Sequence, residues 1–253
     1  MESEIAWQLL LLFFAVAALA GFVDSIAGGG GLITIPVLLL AQIPPISALA
    51  TNKVQGVAGS FTASLTMLRR RIITVKEIWR AAIMSFIGAS TGTLCVQLLD
   101  VAVLDIVIPI VLLLIGFYFL LTPNIGQLEQ KPRMSAKAYN LTVVPGIGFY
   151  DGLFGPGTGS FFSLANIALR GKQIIKATAG AKVMNFASNI ASVTVFIFSG
   201  KIIWIIGLVM IAGQVLGAYL GSLMVISHGA KLVRPLVVVV CFLMVARYLY
   251  VKF

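Results

Sequence analysis

What this chain has least of is charge. Charged residues make up 10% of its 253 residues and only eight are acidic, whereas an ordinary soluble domain is about 25% charged. No long polar stretch is present from which a soluble domain could fold. Histidine occurs once and cysteine twice. Cys95 and Cys241 both fall in apolar runs without metal-ligand spacing. They read as small core residues, so neither a metal site nor a disulfide is expected. The glycine run at 28–31 lacks the Gly-Lys-Ser/Thr ending of a phosphate-binding loop, and the apolar segments hold no Ser/His pair. An enzyme is therefore not expected, nor a cofactor, and ATP-driven work would need another chain. The N-terminal stretch lacks the basic start and small-residue cleavage site of a signal peptide, so its first helix is expected to be retained.

What is abundant is apolar sequence. Hydrophobic residues make up 60% of the chain and mean hydropathy is +1.06, the composition of an all-α polytopic integral membrane protein. A spanning helix needs about 20 mostly apolar residues. That ruler divides the chain into a first repeat, 1–121, with a hairpin at 5–42 and helices at 48–68, 78–98 and 102–121. Pro44 and Pro45 read as the turn ahead of the first long helix. A polar cytoplasmic linker, 122–138, leads to a second repeat, 139–253, with a hairpin at 139–169 and helices at 178–198, 202–226 and 232–250.

The repeat rests on charged and glycine positions, which align by chance less readily than apolar ones. Asp24, Gly28 and Gly30 recur as Asp151, Gly155 and Gly157 at an offset of 127; downstream, Lys53-Val54 and Gly88-Ala89 recur as Lys182-Val183 and Gly217-Ala218 at 129. Charge then orients the halves. The net charge of +10 reads as topogenic, with no nucleic-acid partner, because Lys and Arg sit in short loops, as the positive-inside rule expects. Arg69, Arg70, Arg71, Lys76 and Arg80 flank a first-half loop whose second-half equivalent carries only Lys201, while Arg170, Lys172, Lys176, Lys231 and Arg234 occupy the neighbouring loops. Placing the basic clusters in the cytoplasm turns one half over relative to the other and leaves both termini outside. The expected fold is thus two inverted-topology repeats, each a Gly-rich broken or re-entrant hairpin plus three transmembrane helices.

Each hairpin breaks at a glycine tip: Gly28, Gly29, Gly30 and Gly31 in the first half, Gly155, Gly157 and Gly159 with Thr158 and Ser160 in the second. Backbone freed from a helix inside lipid must find partners in protein or a wet cavity. Half-helix N-termini and free N–H groups at such tips suit an anion; the alternative is that the glycines serve tight helix packing. Asp24 and Asp151 stand beside the tips, either as proton- or cation-coupling carboxylates or as caps for frayed N–H groups. Lys53 lines up on its helix with Gly56, Ser60 and Ser64, and Lys182 with Asn185 and Asn189. Such stripes fit an anion-lined cavity, and equally lysines snorkelling above a small-residue contact. Asn52 joins the substrate-binding candidates, with Gln55 and Asn166 secondary. Gln214 reads as a bond between helices, His228 as a solvated loop residue, and the Gly88/Gly92 and Gly213/Gly217/Gly221 faces as helix contacts. Trp7, Trp79 and Trp204 read as interfacial anchors.

Gly28 to Gly31 with Pro36 and Ala50-Thr51-Asn52-Lys53, then Gly148-Phe149-Tyr150-Asp151-Gly152, Gly155-Pro156-Gly157-Thr158-Gly159-Ser160 and Ala181-Lys182-Val183 with Asn185 and Asn189, resemble the motifs of the TauE/SafE family of membrane permeases, especially its YfcA-like members. The resemblance spans nearly the whole chain. It implies a multi-pass transporter of a bacterial-type inner membrane, with a small sulfur-containing anion such as sulfite or an organosulfonate as substrate. The expected function is a secondary anion transporter working by alternating access around a site between the hairpins. An ion channel or cation carrier using Asp24 and Asp151, or a non-transporting assembly factor, is the alternative. The lipid bilayer is an expected partner; a homo-oligomer, the coupling ion and the direction of transport are left open.

Overall fold

The computed structural model describes residues 7–98 and 128–229, together with 117, 120, 121, 231, 235, 236, 238, 239, 242 and 246. Both termini, Cys241 and all but those few residues of the helices expected at 102–121 and 232–250 lie outside this set. Among the described residues every regular element is a helix. They are α1 (Trp7–Ala27), α2 (Gly30–Leu40), α3 (Pro45–Arg69), α4 (Val75–Val96), α5 (Ala136–Leu141), α6 (Val143–Leu153), α7 (Thr158–Ala168), α8 (Ile174–Ser199) and α9 (Trp204–His228). Helices α1, α8 and α9 are each long and apolar enough to cross a bilayer.

Local chemistry explains where these helices begin and end. Helix α1 stops where Gly28 takes a φ of 76°, its N–H closing on the Asp24 carbonyl at 2.7 Å. The second break uses two such residues, Gly155 at φ 90° and Gly157 at φ 79°, a left-handed geometry open to glycine without penalty. The proline pair is no simple turn. Pro44 caps α3 and Pro45 is its first residue, where the missing N–H would have had no intrahelical partner anyway. The helix therefore starts three residues before position 48, and Lys53 lies in its third turn. In the second half, Ser135 caps a six-residue helix by accepting from the Ala138 N–H at 3.2 Å. Thr142 then interrupts the chain before α6, so 139–154 is two helices rather than one, and 136–138 is helical where linker was expected.

Glycine faces carry the packing between elements. Helix α1 lies on α9, where a Cβ added to Gly213 or Gly217 would sit 2.2 Å from the Phe14 carbonyl oxygen or 1.8 Å from that of Ala18. Helix α6 lies on α4 in the same manner, with Gly88 and Gly92 meeting the Pro145 and Phe149 carbonyls at 2.1 Å by the same measure. Backbones this close gain dispersion contacts that lipid cannot match, and the small-residue faces are helix contacts as expected. Helices α3 and α8 pack on each other, α3 also on α9 and α8 also on α4. Each long helix of one half thus rests on a helix of the other. Interhelical hydroxyl bonds tie the pairs together: Ser25 Oγ to the Ala218 carbonyl at 3.1 Å, Ser85 Oγ to that of Met184 at 2.8 Å, and Thr93 Oγ1 to Ser192 Oγ at 2.9 Å. Trp7, Trp79 and Trp204 are exposed near helix N-termini. Arg70 and the positive-φ Arg71 turn the chain between α3 and α4.

Candidate functional site

The two broken hairpins meet tip to tip. A Cβ on Gly28 would lie 2.3 Å from the Ser160 nitrogen and 2.4 Å from the Gly159 Cα, so backbone rests on backbone. The Ser160 hydroxyl donates across the junction to the Ala27 carbonyl. Ser160 is thereby a clamp between tips, and Gly157 and Gly29 serve as the N-cap positions of α7 and α2.

Four charges converge on this junction, paired across the halves. Lys53 Nζ on α3 donates to Asp151 Oδ1 at 2.7 Å and to the Asp151 carbonyl. Lys182 Nζ on α8 donates to Asp24 Oδ2 at 2.9 Å and to the Asp24 carbonyl. Each lysine thus binds the tip carboxylate and the last-turn carbonyl of the opposite half. Burial is near complete for Lys53 and Asp151, 2% and 1% exposed, and for Lys182 at 1%, while Asp24 retains 14%. Charges this dry persist only when paired and hydrogen-bonded. The lysines are not snorkelling, because their ammonium groups end inside the protein.

The two carboxylates are held differently. Asp151 also accepts from Thr158 Oγ1 at 2.8 Å and Asn185 Nδ2 at 3.3 Å, so both oxygens are engaged. Among the described residues Asp24 accepts, besides Lys182, only the Gly30 N–H at 3.1 Å, which caps the start of α2. Capping is therefore real at Asp24, and at Asp151 a hydroxyl takes the place of the backbone donor.

Between the tips and the middles of α3 and α8 lies a cavity of about 30 Å³, room for one or two waters. Of the expected site residues, Asp24, Gly28, Gly30, Gly31, Asn52, Lys53, Asp151, Gly155, Asn185 and Asn189 line it. Lys182, Gly29, Gly157, Thr158, Gly159 and Ser160 stand behind that lining, in the tips or against them. Ser60 points elsewhere: its hydroxyl donates to the Gly56 carbonyl at 2.5 Å in its own helix, the usual refuge of a buried serine in a helix. Asn166 joins Tyr139 at 3.3 Å and the Ala177 carbonyl at 3.3 Å, tying α7 to α5 and α8 outside this lining.

Three contributors stood low or absent in the sequence reading. Gln214 on α9 lines the cavity beside Gln55 and Gly56. Thr34 holds Asn52 by donating to its Oδ1 at 2.5 Å. Tyr150 donates to the Pro156 carbonyl at 2.7 Å and so braces the second tip. A polar side chain in an apolar run was the one signal for Gln214 and Thr34. Among the described residues no group of three or more His, Cys, Asp or Glu side chains could hold a metal ion.

The profile of the family described as Sulfite exporter TauE/SafE matches residues 13–248. The chain is 49% identical over 247 residues to a "Probable membrane transporter protein" of Haemophilus influenzae, covering 98% of this chain and 97% of that one. It is 46% identical over 247 residues to "Probable membrane transporter protein ORF9" of a Sinorhizobium species, covering 98% and 95%. To "Probable membrane transporter protein YfcA" of Escherichia coli K12 it is 46% identical over 242 residues, covering 96% and 90%. No solved structure matches it. With the family profile spanning the broken hairpins, the swapped ion pairs and the cavity between them, this chain belongs to the TauE/SafE family of membrane transporters.

Proposed function

We propose that the protein is a secondary transporter of small anions, of the sulfite or organosulfonate type, whose substrate binds between the two glycine tips. One observation carries this reading: two lysines from opposite halves end, fully buried, at one tip junction beside a polar cavity. Two buried ammonium groups at the meeting point of two half-helices form an environment in which an oxyanion can replace a carboxylate.

In the described conformation each ammonium is already neutralised. An arriving anion must therefore displace Asp24 or Asp151 from its lysine, and the cavity must widen from about 30 Å³. Both changes follow from parting the tips at the Gly28–Gly159 contact. Binding energy for the anion then drives opening of the junction, the differential interaction that alternating access needs. The inverted arrangement of the halves fits the reversed bias of basic residues and the reciprocal lysine–aspartate pairs, and one half rocking against the other would expose the site to each side in turn. The inner-membrane location and the placement of both termini outside belong to this same proposal.

The test is uptake of labelled sulfite and small sulfonates into proteoliposomes holding the purified protein. Saturable flux is expected, with Lys53→Met and Lys182→Met each reducing it by more than about 100-fold, the scale expected for loss of a buried charge pair with a substrate. Absence of flux for every small oxyanion would overturn the transport reading. Flux that survives both substitutions would overturn the role given to the lysines. A large non-saturating current would instead favour a channel.

A further inference from the structure

The two halves match in their lysines and aspartates but differ around each carboxylate, and the difference has a chemical direction. At the repeat offsets of 127 and 129, Thr158 and Asn185, which saturate Asp151, correspond to Gly31 and Gly56. Asp24 therefore lacks both of those donors. Both glycines line the cavity, so the space beside Asp24 is the space that side chains fill beside Asp151.

The positions flanking that space are altered in the same sense. Met184 and Ser85 of the Asp151 corner correspond, at the offset of 129, to Gln55 and Gln214. Met184 is fully buried, its carbonyl taking the Ser85 hydroxyl at 2.8 Å. Gln55 and Gln214 are 1% and 3% exposed, and among the described residues the carbonyl oxygen of each has no hydrogen-bond partner. Gln55 is oriented by its own Nε2, which donates to Asn52 Oδ1 at 2.9 Å. Gln214 lies against Gly59, one turn further along α3, where an added Cβ would be 2.5 Å from its Nε2. A buried amide oxygen without a donor costs about 1–3 kcal/mol, and two such oxygens on residues lining one cavity call for a hydrogen-bond donor or a cation.

We propose that Asp24, Gln55 and Gln214 form a binding site for one small monovalent cation, with a carboxylate oxygen from α1 and amide oxygens from α3 and α9 as its protein ligands. Oxygen donors suit hard cations, and a cavity of about 30 Å³ admits an ion or a water but no organic cation. The charged groups facing the corner are Asp24, Lys182, Lys53 and Asp151, which sum to zero. A cation alone would leave one uncompensated positive charge, and an anion on a lysine one uncompensated negative charge. Bound together they restore neutrality, so each ligand favours the other. The site stands on the geometry just described; its coupling role rests on the anion-transport reading.

Sodium is the probe. Purified full-length protein is heated in detergent with NaCl, KCl or N-methylglucamine chloride at fixed ionic strength, and binding of labelled sodium is measured directly. The expected result is a saturable upward shift in melting temperature specific to an alkali cation, with about one ion bound per chain. Gln55→Met and Gln214→Met should each raise the half-saturating concentration at least ~10-fold, equivalent to about 1.4 kcal/mol. Their stability in N-methylglucamine should be unchanged or higher, because each removes an unpartnered buried carbonyl. No cation-specific shift in the parent protein, or unchanged midpoints in both variants, would overturn the site and leave a water between the oxygens. Anion flux indifferent to the cation would overturn the coupling while leaving anion transport intact. Sodium binding without any anion flux would uphold the site and sink the transport reading instead.

Discussion

Replacing Lys53 by methionine leaves the Asp151 carboxylate buried at 1% exposure with Thr158 and Asn185 as its remaining side-chain partners. Breaking a buried pair on one side costs about 3–5 kcal/mol, since the remaining charge cannot recover its hydration. For a chain of this size each kcal/mol moves the melting temperature by roughly 2–4 °C, so a drop on the order of 10 °C is expected. Removing the charge from both members changes the outcome. In Lys53→Met/Asp151→Asn the amide keeps partners in Thr158 and Asn185, and stability should return to within about 1–2 kcal/mol of the parent, since neutral replacements of buried pairs are commonly tolerated. Lys182→Met should cost less than Lys53→Met, because Asp24 is 14% exposed and keeps some contact with water. The assay is thermal unfolding in detergent across the single and double variants, read as a double-mutant cycle, with anion flux measured in parallel. Flux should stay lost in the rescued double variant. A double variant as unstable as Lys53→Met, or a Lys53→Met protein as stable as the parent, would show that the pair does not hold the tips together as argued.

Other substitutions test particular contacts. Gly28→Ala should prevent the tips from closing, since its Cβ would meet the Ser160 nitrogen at 2.3 Å at a φ of 76°; Gly146→Ala, with nothing within 4 Å, is the silent control, and equal melting temperatures would refute the tip junction. Gly217→Val should separate α1 from α9, whose backbones are closest where a Cβ would lie 1.8 Å from the Ala18 oxygen; loss of monodisperse protein in size-exclusion chromatography is the readout. Ser60→Ala should leave flux within about twofold, because the hydroxyl serves only its own helix and such bonds contribute little net stability, and a severe loss would return Ser60 to the site. Single cysteines at Ser47 and Gln173 should react with an impermeant thiol reagent from opposite sides of the membrane; labelling from one side would refute inversion of the halves.

Much of the architecture was legible in composition and spacing alone. Scarce charge and long apolar runs demand helices, because lipid offers no partner to an open backbone. Matched glycines and aspartates marked both breaks, since a helix interrupted inside lipid leaves a recognisable residue pattern. The helix starts were less legible. Pro45 looked like a turn and is the first residue of α3, because proline at that position sacrifices no hydrogen bond.

Composition and spacing alone were enough for the class of the protein, the two glycine tips and the four ionisable residues beside them, which recur at the repeat offsets of 127 and 129. Only the tertiary structure decided how those residues are joined. Lys53 finds Asp151 from 98 positions away and Lys182 finds Asp24 from 158, so each lysine serves the tip of the other half, a relation invisible to spacing within either one. Only packing could turn Ser60 away from the cavity and bring Gln214 into it, because a polar residue's role in a helix depends on what lies across from it. The same packing left two amide oxygens of the cavity lining without a donor among the described residues, where the matching corner of the other half is filled.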